Sequence, residues 1–302
     1  MNTRLAPGLL AALLLLGGPL AARCQSYADG YDPSGTYDLS TNPEFGNPTA
    51  ATGRPTTLDN DGFGDIYHAS LVQPAFGYDA NSATNQPLLT SLNSDGKGAL
   101  TVTFSTPIVH SDAHWFGQDF IVYTNSFFTG INPMTGNNYV SEGDDLSKYV
   151  LDGGLSGALP TVSVSADGTH FVTVQSQDTL IFAENPYHWD GLSSANTSGF
   201  GALQDFSKPL NPSLTAADFT NITAADAIDR VYDGSAGGVS FSLAGTGLSA
   251  IQYVRFTGTG NIDGVSRVSI NPNAAPEPQA WVVLLIGTGS ILALRARRRK
   301  SA

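Results

Sequence analysis

Short runs of β-branched and aromatic residues recur along this chain, and each run is bounded by glycine, asparagine, serine or aspartate. Clear examples are ALTVTF (99–104), GVSFSLA (238–244), IQYVRFTG (251–258) and VSRVSI (265–270). Runs of this length and alternation predict strands that are joined by turns. Only 13% of the residues are charged, whereas 33 are glycine and 17 are proline, and this balance disfavours a helical bundle.

Other segments extend the same pattern. DFIVYTN (119–125) is an almost continuous apolar run, which predicts a central strand buried on both faces. TVSVSADGTHFVTV (161–174) predicts a hairpin with a tight two-residue turn at Asp167-Gly168. TLIFA (179–183) is a further candidate strand, and TAADAIDRVY (223–232) is the segment with a helical pattern.

These segments predict an all-β fold, specifically a β-sandwich or jelly roll of eight or more short strands. We expect it to span residues 27–274, with an irregular lead-in at its start and a long loop at 126–160. Repeats of fixed period, which would indicate a solenoid or propeller, are not found in the sequence.

The N-terminus has the pattern of a secretory signal peptide over residues 1–26. Arg4 precedes an apolar run at 9–16 that is too short to span a bilayer, and small residues follow it. Export then involves the Sec translocon and signal peptidase. The single cysteine, Cys24, lies at the expected cleavage edge, so we expect no disulfide in the folded body.

The C-terminal segment, 275–302, has three parts. Pro276, Glu277 and Pro278 come first, the apolar stretch 279–294 follows, and a basic cluster ends the chain: Arg295, Arg297, Arg298, Arg299 and Lys300. As a helix, the apolar stretch would measure about 24 Å, short of the roughly 30 Å hydrocarbon core of a bilayer. The basic cluster would stay on the cytoplasmic side as a stop.

This order of parts resembles the PEP-CTERM sorting signal of Gram-negative bacteria. The resemblance implies recognition by an exosortase-type membrane protease, removal of the helix after a transient stay in the inner membrane, and delivery to the cell envelope or extracellular exopolysaccharide matrix. The alternative is a permanent single-pass anchor.

A second resemblance covers most of residues 45–270. It is carried by NPTAATGRPT (47–56), GKGALTVTFSTPIV (96–109), GQDFIVYTNSFF (117–128), VSVSADGTHF (162–171) and GGVSFSLAGTGLSAIQYVRFTG (237–258). Together these segments resemble a family of secreted bacterial cell-surface proteins with a galactose-binding-like, discoidin-related sandwich. The resemblance implies an architecture and a surface location, and it implies no reaction. Thr124 departs from the family pattern, in which an acidic residue is common, and Tyr123 replaces the usual Phe.

The expected body is strongly acidic. Residues 27–274 contain seven basic and 25 acidic residues, a formal charge of −18. Because such a body repels phosphate backbones, we expect no nucleic-acid partner. The charge is compatible either with solubility outside the cell or with binding of divalent cations.

Calcium is the candidate cofactor, and LDNDGFGDI (58–66) is its candidate site. Asp59, Asp61 and Asp65 alternate with glycines there, and closely spaced carboxylates on a kinked loop suit the oxygen coordination of calcium. The alternative is an acidic turn in which the aspartates bond to their own backbone. Calcium-dependent thermal stabilisation would distinguish the two.

Two further polar groups have a functional and a structural interpretation. They are Glu142, Asp144 and Asp145 in SEGDDLSK (141–148), and His110, Asp112 and His114 in HSDAHW (110–115). Alternation along an extended segment would place the second group on one side, where a transition metal could bind. The structural interpretation is a solvated face for the first group and a polar loop for the second.

Exposed aromatic residues in predicted loops could stack on sugar rings. Trp115 and Trp189 are the main candidates, and extracellular polysaccharide is then a candidate partner. The alternative is that both indoles cover the ends of the sandwich.

Signatures of catalysis are missing from the sequence: it contains no G-x-S-x-G, H-E-x-x-H or P-loop motif. We therefore expect a non-enzymatic structural or interaction module. The alternative is a carbohydrate- or calcium-dependent binding module. A secreted hydrolase is less favoured, because it requires a carboxylate pair or a triad in a cleft.

Overall fold

The computed structural model describes residues 27–33, 38–41, 45–60, 66–75 and 89–274. The predicted signal peptide and sorting segment lie outside them, as do Asp61 and Asp65. The described part confirms an all-β fold built from antiparallel sheets. None of its helices has the length and hydrophobicity needed to cross a membrane.

The strands are short and follow one another closely. They are β1 (Gly30–Tyr31), β2 (Leu58–Asn60), β3 (Ile66–His68), β4 (Thr90–Ser91), β5 (Gly98–Val109), β6 (Phe120–Tyr123), β7 (Phe127–Ile131), β8 (Val150–Ser156), β9 (Thr161–Ser165), β10 (Val172–Val174), β11 (Tyr187–Trp189), β12 (Phe200–Leu203), β13 (Thr220–Thr223), β14 (Val239–Phe241), β15 (Ala250–Gly258), β16 (Asn261–Ile262) and β17 (Gly264–Arg267). Helical turns are α1 (Ala224–Asp226), its continuation as a π-helix (Ala227–Tyr232), and 3₁₀ turns at Pro48–Ala51, Trp115–Gly117, Leu146–Lys148 and Ala216–Phe219.

The largest sheet has five antiparallel strands in the order β1-β5-β15-β9-β10. Val254 at its centre lies opposite Val102 on one side and Val164 on the other. All three valines are buried, because alternation along each strand points them to the same face. The strands predicted at 99–104 and 251–258 are confirmed.

Strand β6 is the middle strand of a second sheet, with the order β14-β6-β17. All four of its residues are buried, which confirms the prediction of a central strand covered on both faces. Phe120 of β6 stacks on Phe241 of β14 with ring centroids 5.1 Å apart.

The two sheets share one core. Its largest cluster combines Leu100 and Phe256 of the five-stranded sheet with Phe120, Val239 and Val265 of the three-stranded sheet. The apolar faces of the two sheets therefore pack against each other, which keeps both faces away from water.

A second core lies beside β7, β8 and β13, which form another antiparallel sheet. Segment 126–160, predicted as a long loop, thus contains the paired strands β7 and β8. Glycines interrupt their alternation and hide the strand pattern. Gly130 is required by close packing, since a Cβ there would lie 2.3 Å from the carbonyl oxygen of Val150.

Two local predictions need correction. Strands β9 and β10 do form a hairpin, but residues 166–171 connect them instead of a two-residue turn, because the Asp167 carboxylate accepts the N–H groups of Thr169 and His170, each at 2.8 Å. Segment 179–183 is not a strand. Its apolar residues Phe182 and Ala183 fill the second core without ladder pairing.

The helix predicted over 223–232 is confirmed. Thr223 caps it, with Oγ1 accepting the N–H of Asp226 at 3.0 Å, as an N-cap threonine does. Ala224 and Ile228 are buried, and from Ala227 onward the segment winds as a π-helix.

The shared core generates a stability prediction. Replacing Phe120 by alanine removes a fully buried ring and its stacking contact with Phe241, so we expect the free energy of unfolding to fall by about 3–5 kcal/mol. Tyr139→Ala is the control, because Tyr139 is 63% exposed, and we expect a change within about 0.5 kcal/mol. Denaturant unfolding of the purified chain measures both, and equal effects would contradict the assigned core.

Candidate functional site

A groove of about 530 Å³ opens between the π-helix and segment 208–214. Its apolar floor includes Leu214, Ile222 and Val231, and charged groups such as Asp226 and Arg230 line it as well. A volume of this size falls within the range of small-molecule sites in proteins.

The backbone around this groove is unusual. Among the described residues, the non-glycine positions with positive φ are Phe116 (54°), Asn221 (60°) and Asp233 (47°). Phe116 and Asp233 line the groove, and Asn221 directly precedes the lining residue Ile222. Left-handed backbone is tolerated by Asn and Asp but costs a residue such as Phe about 1–3 kcal/mol, and such strain clusters at functional sites.

Two more features place the groove apart from the rest of the fold. The groove wall at Arg230, Val231 and Tyr232 belongs to the π-helix, a geometry that is also frequent at functional sites. Phe116 and Gly117 are the central residues of a turn closed by the N–H of Gln118 on the carbonyl of Trp115. That turn holds the Phe116 side chain, which is 44% exposed, at the groove.

Lys208 ties the turn to the end of the helix. Its Nζ lies 5.0 Å from the centre of the Trp115 ring and donates to Oδ2 of Asp233 at 3.0 Å. The ammonium group thus makes a cation–π contact and an ion pair at once. Trp115 also packs against the buried cluster that contains Tyr123 and Phe206. Phe116 lines the groove, whereas Trp115 is not among the lining residues.

The polar side chains of the groove are held by neighbours. Asp226 accepts the hydroxyl of Thr223 at 2.9 Å, and Asp218 accepts the N–H and hydroxyl of Thr215 at 2.8 and 3.0 Å. Those hydrogen bonds from Thr215 lower the pKa of Asp218. Both carboxylates are therefore held in fixed orientations as acceptors at the groove.

Trp189, predicted to stack on sugars, is placed differently. It is 8% exposed and lies edge-on to Phe200 at 5.4 Å. Gly199 sits so close that a Cβ there would lie 2.0 Å from the indole. Little of the ring is therefore open to a ligand, and Trp189 packs within the second core.

Asp59, the described member of the predicted calcium loop, is fully buried. Its Oδ2 accepts the hydroxyl of Tyr67 at 2.7 Å. Burial, above all, raises the pKa of Asp263 to about 6, and the charge of Asp59 adds to this rise. Asp59 therefore belongs to an acidic centre that includes residues distant in sequence.

Glu184 and Asp263 form the heart of this acidic centre. Burial, above all, raises the pKa of Glu184 well above its ordinary value, and the neighbouring Asp263 raises it further. Asp263 accepts the N–H of Thr56 at 3.1 Å and its hydroxyl at 2.8 Å. The consistent arrangement is a protonated Glu184 that donates to an ionised Asp263.

Among the described residues, no group of three His, Cys, Asp or Glu side chains is arranged to hold a metal ion.

The histidine group of 110–115 forms a polar loop, with Asp112 exposed. The Nδ1 atoms of His110 and His114 lie 2.8 and 2.9 Å from the two oxygens of the buried Asp119. Burial favours protonation of Asp119, but hydrogen bonds from both imidazoles and two backbone N–H groups together lower its pKa. Because an ionised carboxylate only accepts, each imidazole donates from Nδ1. This cluster fixes the loop that carries Trp115 and Phe116.

The acidic loop 141–148 is used locally. Glu142 accepts the N–H of His68 at 2.9 Å and contacts its ring, whereas Asp144 and Asp145 accept the N–H groups of Ser141 and Ser147. The three carboxylates are thus engaged with separate partners. This arrangement agrees with the structural interpretation of the loop.

Comparison with protein-family models and with curated proteins gives no match for this chain.

The groove residues Phe116, Asp226 and Arg230 were not predicted from sequence, nor were Glu184 and Asp263. The only sequence signal near the groove is the helical pattern at 223–232, which shows neither the π-turn nor the strained turn at Phe116.

The acidic centre generates a pH prediction. A folded-state pKa above the unfolded value means that, above about pH 4, the unfolded chain releases the Glu184 proton that the folded chain keeps. The free energy of unfolding should therefore fall as pH rises from 5 to 8. Glu184→Gln keeps a donor toward Asp263 without titrating, so its fall should be shallower.

Thermal melts of both proteins across this range measure the slopes. Asp95→Asn is the control, because Asp95 is exposed and pairs with Lys97, which does not titrate in this range, and it should keep the wild-type slope. An unchanged slope in the Glu184→Gln variant would contradict the protonated arrangement.

Proposed function

We propose that this chain is an exported cell-surface or exopolysaccharide-matrix protein of a Gram-negative bacterium, and that its folded body is a non-enzymatic structural or interaction module. The observation that carries the proposal is the order of its C-terminal parts: Pro276, Glu277 and Pro278, a short apolar stretch, and an Arg-rich end. The N-terminal signal pattern supports the same destination.

The proposed route has three steps. The Sec translocon exports the chain, signal peptidase removes residues 1–26, and the apolar stretch 279–294 holds the chain in the inner membrane while its basic end stays in the cytoplasm. An exosortase-type protease then removes the C-terminal segment and the body passes to the envelope or matrix.

For the body we propose a β-sandwich of the galactose-binding-like, discoidin-related kind. The shared core of the five-stranded and three-stranded sheets supports it, with Leu100 and Phe256 packed in one cluster with Phe120 and Val265. A non-enzymatic role is supported by the local engagement of the polar clusters, such as both histidines on Asp119.

The second candidate function is a carbohydrate- or calcium-dependent binding module. The groove at Phe116 favours its carbohydrate form, because an exposed ring stands beside oriented carboxylates. For its calcium form the proposed ligands remain Asp59, Asp61 and Asp65. A melting temperature that is unchanged by calcium or by a chelator would rule out calcium-dependent binding at these residues.

Processing of the C-terminus provides the test of the proposed route. In the native organism we expect the mature protein in the envelope or matrix fraction, with a C-terminus near Pro278 and without Arg297 to Lys300. Mass spectrometry of the C-terminal peptide measures this directly. A variant with Pro276 and Pro278 replaced by alanine should keep the basic end and stay in the membrane fraction. A mature wild-type protein that still contains the basic end would contradict processing.

A further inference from the structure

The groove is lined by the aromatic ring of Phe116, whose backbone is held in a strained, left-handed conformation. Phe116 has φ 54° and its side chain is 44% exposed, so this ring contributes less to the core than a buried phenylalanine does. Glycine is the usual residue for such backbone. A strained and exposed phenylalanine therefore suggests a contact with something outside the chain.

The support beneath this ring is rigid. Trp115 packs next to it, with ring centroids 6.1 Å apart and ring planes inclined by 47°. The Lys208 ammonium contacts the Trp115 ring, and Asp233 pairs with Lys208. A ring held in this way offers its open surface with little loss of conformational freedom on binding.

The polar groups of the groove suit hydroxyl groups. Asp218 and Asp226 each use Oδ2 for a threonine hydroxyl, and an ionised carboxylate has further acceptor positions. Arg230 is exposed and, within the described part of the chain, has no ion-pair partner. Acceptors and a planar donor thus line the same groove as the aromatic ring.

Charge decides which hydroxyl-rich ligand fits. Since Lys208 is paired with Asp233, the other charged groups lining the groove are Asp218, Asp226 and Arg230, which leaves the groove slightly negative. The surrounding body carries a formal charge of −18 over residues 27–274. A polyanion would therefore be repelled both by the groove and by the body as a whole.

From these contacts we infer that the groove is a binding site for a neutral polysaccharide, with a sugar ring on Phe116 and hydroxyl groups on Asp218, Asp226 and Arg230. The inference rests on the proposed extracellular location, which brings the body into contact with glycans. It assigns the stacking role to Phe116 in place of Trp115 and Trp189.

Affinity electrophoresis of the full-length chain tests the inference. The native gels contain either a neutral polymer (dextran, hydroxyethyl cellulose, galactomannan or xyloglucan) or an acidic one (alginate or polygalacturonate). We expect at least one neutral polymer to retard the protein and the acidic polymers to leave it unaffected. Phe116→Ala should weaken the binding roughly tenfold or more, and Phe116→Trp should restore it.

Two variants separate the ring from the fold. Phe116→Gly accepts the left-handed backbone without strain, so it keeps the turn, removes the ring and should lose binding while its melting temperature is maintained. Tyr139→Ala removes an exposed aromatic ring elsewhere and should bind as the wild type does.

Retardation by acidic polymers alone would overturn the ligand class. Neutral-polymer binding that survives Phe116→Gly would overturn the site, and failure of every polymer to bind would overturn both. None of these outcomes depends on C-terminal processing, so a failure here and a failure of the proposed sorting remain distinguishable.

Discussion

Strand β6 has no face in contact with water, and much of the fold follows from this constraint. Phe120 and Val122 point into the core shared by the two sheets, whereas Ile121 and Tyr123 point the opposite way, toward Phe206. A strand covered on both faces requires packed layers on each side. Tyr123 can lie inside because its hydroxyl donates to the carbonyl of Phe206 at 2.7 Å, which compensates for the loss of water.

The same strand connects the core to the groove. Asp119, directly before β6, holds His110 and His114 and receives the N–H of Leu243. The loop 110–118 is therefore anchored at the start of the most buried strand. Trp115 packs against the buried cluster that contains Ile121 and Tyr123, so the position of Phe116 at the groove is set by the core and does not depend on the loop alone.

Much of the strand pattern can be predicted from sequence, because burial imposes alternation or continuous apolar runs. The segments around Val102, Val122 and Val254 carry that signal clearly. The signal fails where glycine replaces a side chain, as at Gly130 in β7, and where apolar residues pack without pairing, as at Phe182.

The groove and the Glu184–Asp263 pair could not be predicted for a different reason. They depend on residues that the fold brings together from distant parts of the chain, and no local sequence pattern records that proximity. Of the two proposed stacking residues, Trp115 is not among the residues that line the groove, and Trp189 is enclosed by Gly199 and Phe200.

The position of β15 in the large sheet has a kinetic consequence. This strand lies at the centre of the sheet, between β5 and β9, yet it is one of the last strands along the chain. The sheet cannot close until residues near 254 meet residues near 102, and such distant pairings make folding slow. A chain threaded through a membrane from its N-terminus would therefore stay open until nearly all of the body had crossed. Under the proposed export route, the central strand would arrive late, and this order of strands would delay folding before the chain has crossed.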